Sequence, residues 1–231
     1  MRSMQWLRHF VQCFILICLP GIARAETGQS QFSRRALGVK VGEMSLSSNT
    51  TPSQYAVSAR LATTGLAGTL KRILFVIVAS GRRNGNRFLP QRYIEDMDTG
   101  QRGSRARLVY SGGVARASGP KIGDRGPYAV TDGQQRGAVD PLTAIFMGLR
   151  HQSPAELCRL RQRIFDGERL TQITLTQRSE ADGRVFCRGQ FTRLAGCAPG
   201  DLSQGNSFPV LVIYEPLDSV MRAMRVEAQT I

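Results

Sequence analysis

Histidine is almost missing from this chain of 231 residues. There are two, His9 and His151, and His9 falls in an N-terminal segment that reads as a targeting signal. A Ser-His-Asp or Cys-His centre would have to use His151 alone, a polar residue between a helix and the cap of the next turn. A histidine-based metal site is excluded by the same count. Lysine is nearly as scarce, with only Lys40, Lys71 and Lys121, so arginine carries the formal net charge of +14. Arginine is the better bidentate partner for phosphate and carboxylate, which brings an anionic partner into view. The arginines are scattered, adjacent only at Arg34-Arg35 and Arg82-Arg83. That dispersion predicts a solvated surface or contact with an anionic membrane or outer-envelope surface, and argues against nucleic acid.

Long apolar runs are absent too. The stretch from Phe10 to Leu19 is too short to cross a hydrocarbon layer of roughly 30 Å. Arg2 and Arg8 precede it, and Pro20-Gly21 and Ala23-Arg24-Ala25 follow it. This is the order of a secretory signal peptide cleaved after Ala25. The chain therefore divides into a signal peptide over residues 1–25, a polar flexible leader over 26–52 and a single β-rich domain over 53–231. Cys13 and Cys18 leave with the signal. Cys158, Cys187 and Cys197 remain for an oxidising compartment, enough for one disulfide and three pairings. Cys187 lies in an alternating stretch, sharing a face with Val185 and Phe191, while Cys158 follows a short helical turn. Cys158–Cys187 is the pairing favoured, with Cys197 free or half-buried in a loop. Three cysteines without a CxxC or a neighbouring histidine do not make a zinc site, and neither metal nor cofactor is expected.

What is present is strand patterning. Residues 55–61 alternate, with Tyr55, Val57, Ala59 and Leu61 on one side, and residues 73–78 form a β-branched apolar run that predicts a buried strand. Asn84-Gly85 predicts a tight hairpin, with return strands over 87–97 and 104–110. Further strands are expected over 160–165, 168–176, 184–194, 208–214 and 224–230, the first two joined at Asp166-Gly167. One helix interrupts them. Asp140 is its N-cap and Pro141 its first residue, and Leu142, Ile145, Phe146 and Leu149 form a single apolar stripe. Ser153-Pro154-Ala155-Glu156 opens a further helical turn, and residues 112–139 read as a long functional loop.

Carboxylate chemistry needs two acids facing each other across a cleft. Each candidate has a structural explanation: Asp140 caps a helix, Asp166 makes a turn, and Glu95, Asp96 and Asp98 end a strand. Gly119 to Gly126 lacks the Gly-Lys-Ser/Thr ending of a phosphate loop. No catalytic residue emerges. An antiparallel sheet covered by one amphipathic helix can enclose an apolar cavity, and Phe75, Ile77, Leu142, Ile145, Phe146 and Leu149 are its expected lining. The bland alternative is that the same residues fill the core.

Several landmarks occur in order: Tyr55-Ala-Val-Ser-Ala, Gly65-Leu-Ala-Gly68, Pro90-Gln-Arg-Tyr93, Asp140-Pro-Leu142, Phe165-Asp-Gly167 and Cys187. The set resembles the domain-of-unknown-function family 3108, exported proteins of Gram-negative bacteria, over about residues 53–231. The resemblance implies a mainly β periplasmic domain, an antiparallel sheet curled into a half-barrel with a distant likeness to the lipoprotein carriers. It implies no activity. It supports the Cys158–Cys187 pairing, because alphaproteobacterial members place cysteines at these positions. It also implies another short strand beyond Ile231, so that the last strand here lacks a partner. The function expected is that of a periplasmic envelope protein without a catalytic site, binding a lipid or other apolar ligand. The alternatives are a structural module docking an envelope protein through a sheet edge or basic surface, and a carboxylate-dependent hydrolase of envelope polymers.

Overall fold

The computed structural model describes residues 25–36, 39–63, 73–98, 103–119, 126–203 and 205–228. Apart from Ala25, the expected signal peptide lies outside them. Seven strands form one antiparallel meander in sequence order: β1 (Glu26–Ala36), β2 (Val39–Thr50), β3 (Gln54–Thr63), β4 (Leu74–Asn84), β5 (Arg87–Asp98), β6 (Gly103–Ser111) and β7 (Val114–Ser118). The first two strands overturn the expected leader over residues 26–52. Their inward positions hold small side chains such as Gly28, Ser30 and Ser48 between Phe32, Met44 and Leu46. The stretch is amphipathic at period two with too few bulky residues to stand out. Strand β4 is half-buried rather than buried. Ala79 is fully covered, whereas Val76 and Val78, pointing the other way, are 41% and 44% exposed. The β4–β5 hairpin turns at Gly85-Asn86, one position later than expected, because Asn84 pairs with Arg87 and Gly85 takes the positive φ of 57°.

The second sheet has the order β13-β12-β11-β10-β9-β8 and is curled as a half-barrel. It comprises β8 (Ala138–Val139), β9 (Leu160–Phe165), β10 (Leu170–Ala181), β11 (Arg184–Ala195), β12 (Ser207–Leu217) and β13 (Val220–Ala228). Only β8 runs parallel to its neighbour. The β9–β10 connection is four residues long rather than two, because Phe165 pairs with Leu170. The Asp166 carboxylate accepts the backbone N–H groups of Glu168 (2.9 Å) and Arg169 (2.7 Å) inside it. Strand β10 outruns expectation to Ala181 and turns at Asp182-Gly183, both at positive φ. A disulfide joins Cys158, in the turn before β9, to Cys187 on β11, and Cys197 is a buried free thiol.

Three short helices complete the described chain: α1 (Asp132–Gln135), α2 (Pro141–Leu149) and α3 (Pro199–Leu202). The expected loop over 112–139 thus contains β7, α1 and β8, with residues 120–125 outside the described ones. Helix α2 lies between the sheets. Leu142, Phe146 and Leu149 are buried as expected, but Ile145 is 38% exposed, and Thr143, Ala144 and Gly148 are buried instead. A helix clamped from two sides covers a wider arc than one stripe, and the small residues admit close approach. Tyr214 donates to the Gly148 carbonyl at 2.5 Å from the half-barrel side. Tyr55 reaches Thr143 from the meander side. Residues of both sheets and α2 share one hydrophobic core.

Candidate functional site

The inner face of the seven-stranded sheet, the face that meets α2, is a set of cross-strand rows. Nearest the helix, Val57, Ala79, Tyr93 and Leu108 are neighbours across four strands, and all are buried. Two steps along the strands, a row of five residues crosses β1 to β5: Phe32 pairs with Met44, Met44 with Leu61, Leu61 with Phe75 and Phe75 with Met97. All five are apolar and none is fully buried. The intervening row holds Leu46, Ala59, Ile77 and then Glu95, a half-buried carboxylate set among hydrocarbon. Glu95 accepts a 2.5 Å hydrogen bond from the Tyr93 hydroxyl two residues back on the same face. Among the described residues no basic side chain is paired with it. Burial, then the bond to Glu95, drives the Tyr93 hydroxyl far above its ordinary pKa, so it stays a donor.

Where α2 meets this face, the polar groups are arranged for structure. Asp140 is completely buried at the N-cap and accepts from the Thr143 N–H (2.8 Å) and hydroxyl (2.6 Å). With that proton committed, the Thr143 oxygen accepts the Tyr55 hydroxyl at 2.9 Å. Burial pushes the Asp140 carboxyl up to about 6, against the lowering effect of the Thr143 and backbone hydrogen bonds. Tyr55 is raised by burial and by the nearby Asp140 charge. Phe88 bridges Tyr55 and Phe146 through edge-to-face contacts at 5.1 and 5.6 Å. Gly81 is required beside this cluster, since a Cβ there would lie 2.3 Å from the Leu89 carbonyl oxygen and 2.9 Å from the Tyr55 ring.

The six residues expected to line a cavity are divided by the structure. Phe75 and Ile77 share the half-buried inner face; Leu142, Phe146 and Leu149 are core; Ile145 faces outward. Phe146 touches a polar cavity of about 50 Å³ shared with Glu26, Leu46, Thr50, Arg83, Arg150 and His151. Reading residues 26–52 as a leader hid Phe32 and Met44. Leu61 and Met97 were visible as strand residues, but their alignment with Phe75 depends on register, which a single strand does not disclose. Among the described residues the candidate carboxylates do not assemble a hydrolytic pair. Asp140 has no solvent access, Asp166 is spent on its turn, and Asp96 pairs with Arg105 at 2.7 Å.

A family model described as a protein of unknown function (DUF3108) matches residues 29–182, well over half of the chain. The chain belongs to this family. The match opens inside β1, earlier than the resemblance suggested, so the family's shared region includes the β1–β2 hairpin. It ends in the turn between β10 and β11, which leaves β11 to β13 outside it. No curated protein and no solved structure matches the chain. The family description names no activity, so any role rests on the site itself.

Proposed function

We propose that this is an exported protein that holds an amphiphile against the inner face of its seven-stranded sheet. The observation that carries the reading is the row Phe32, Met44, Leu61, Phe75 and Met97, apolar throughout and left partly open to water. Five strands at about 4.8 Å spacing make an apolar stripe roughly 19 Å long, the scale of an extended acyl chain. Each uncovered Å² of such a surface costs about 25 cal/mol, and an apolar occupant recovers that. Glu95, beside the stripe and with no cationic partner among the described residues, suits a head group that donates hydrogen bonds. Export is supported by the N-terminal pattern and by the disulfide, a bond that persists in oxidising compartments.

The test is organic extraction and mass spectrometry of protein isolated from its native source. An amphiphile recovered in proportion to protein is the expected result. Binding of an apolar fluorescent probe should then fall roughly tenfold or more in Phe75→Asp, because the new charge must be desolvated by the occupant. A clean extract together with probe binding indifferent to Phe75→Asp would overturn the reading. A second reading, docking of an envelope protein, draws on β13, an edge strand with Met224 and Val226 exposed. Co-purification of a protein partner lost in Val226→Asp would favour it.

A further inference from the structure

The outer face of the same sheet is also unusual, and what it implies does not depend on whether the inner face holds a ligand. An outward face should be polar. Here Val76, Val78, Leu89 and Val109 are among the few large apolar side chains exposed anywhere in the described residues. They are interleaved with arginine by register. Val76 lies between Arg60 and Asp96; Val78 pairs with Ile94, which pairs with Arg107; Val109 lies between Arg92 and Arg116. Arg105 and Arg116 are engaged with Asp96 and Asp132. Arg60, Arg92 and Arg107 are exposed, and no acid is paired with them among the described residues. The face is therefore both apolar and cationic.

We infer that the outer face of β3 to β6 is a docking surface for an anionic phospholipid bilayer. Such a bilayer complements both properties: its head groups meet the guanidinium groups, and its interfacial hydrocarbon accepts short aliphatic side chains. A polyanion such as nucleic acid satisfies only the charge. It offers no place for Val76, Val78 and Ile94, and this face carries no aromatic side chain on which a base could stack. The long arginine stems can lie along the valines while their heads reach the phosphates.

Flotation with vesicles tests the assignment, using the full chain and variants carrying the same N-terminus. Binding is expected to vesicles of phosphatidylglycerol, to weaken with added salt, and to be far weaker to phosphatidylcholine. The combined variant Arg60→Gln, Arg92→Gln, Arg107→Gln should lower partitioning about a hundredfold, on the basis of the free energy each basic side chain gains near an anionic surface. Val78→Ser with Ile94→Ser should lower it several-fold more than Val226→Ser, on the other sheet. Equal binding to both lipids, or an unchanged triple arginine variant, would overturn the proposal. So would loss of binding in the arginine variant with none in the valine and isoleucine variant, because that pattern marks a purely electrostatic attraction without the hydrocarbon contact the proposal requires. Mass mapping of the Cys158–Cys187 link in each variant verifies the fold, and an unlinked variant is replaced by single arginine substitutions, whose partial losses must add.

Discussion

A buried carboxylate that caps a helix works against itself when it ionises. Asp140 gains hydrogen bonds from Thr143 only in the folded chain, yet burial still holds its pKa up near 6, above the ordinary carboxylate range. The folded state therefore binds a proton more tightly than the unfolded state does. Its contribution is fully present below about pH 4 and is lost as pH rises through about 6, on the order of 2–3 kcal/mol. Glu156 runs the opposite way. The hydrogen bond from Asn86 lowers its pKa, so its contribution is lost on acidification. Asp140→Asn should keep the cap, since asparagine caps as well as aspartate. It should also flatten the dependence of denaturant stability between pH 4 and 6. An Asp140→Asn protein whose stability still falls with rising pH over that window would assign the effect to another group. Asp140→Ala should cost about 1–2 kcal/mol below about pH 4, because the cap is lost and the Thr143 N–H and hydroxyl lose their acceptor, and less as pH rises through about 6, where the parent itself loses stability.

Elements were more legible than their surroundings. The limits of β3, β5, β6 and α2 follow from alternation, a turn glycine and the Asp140-Pro141 start, all local signals. A single apolar stripe is too simple a description of this helix, because period arithmetic assumes a single covering surface. Contact from both sheets shifts the covered arc toward Thr143 and Gly148 and releases Ile145. Two substitutions separate the readings. Leu142→Ala should cost about 2–5 kcal/mol by leaving a cavity in the core, whereas Ile145→Ala should stay within about 0.5 kcal/mol. Equal losses, measured by chemical denaturation, would restore the simple stripe. The disulfide is the other element-scale device. It fastens the turn before β9 to β11 across 29 residues of sequence. Replacing both cysteines by serine should cost roughly 3–4 kcal/mol on the loop-closure account, and treating the parent with reductant should reproduce that loss.

At the scale of the whole molecule, what sequence alone could not disclose was pairing. Residues 26–50 look like a leader when taken singly: Ser, Thr and Gln with an occasional Phe, Met or Leu. In place residues 42–50 pair residue for residue with β3 and residues 26–36 pair with β2, and Leu46 joins the core shared by both sheets. The same pairing builds the five-residue apolar row, two of whose members lie on β1 and β2. A leader and a structural hairpin respond in opposite ways to removal. Without residues 26–52, β3 becomes an edge. Its Tyr55, Val57 and Ala59 side lies open and its backbone groups lack the partners that β2 supplies, a template for association with other chains. The shortened chain should therefore lose cooperative thermal unfolding and elute as aggregate, while the intact chain elutes as a defined species. Leu46→Ala in the intact chain should cost about 2–4 kcal/mol through the core alone. A shortened chain that melts at the parent's temperature would return those residues to the status of a leader and remove Phe32 and Met44 from the proposed site.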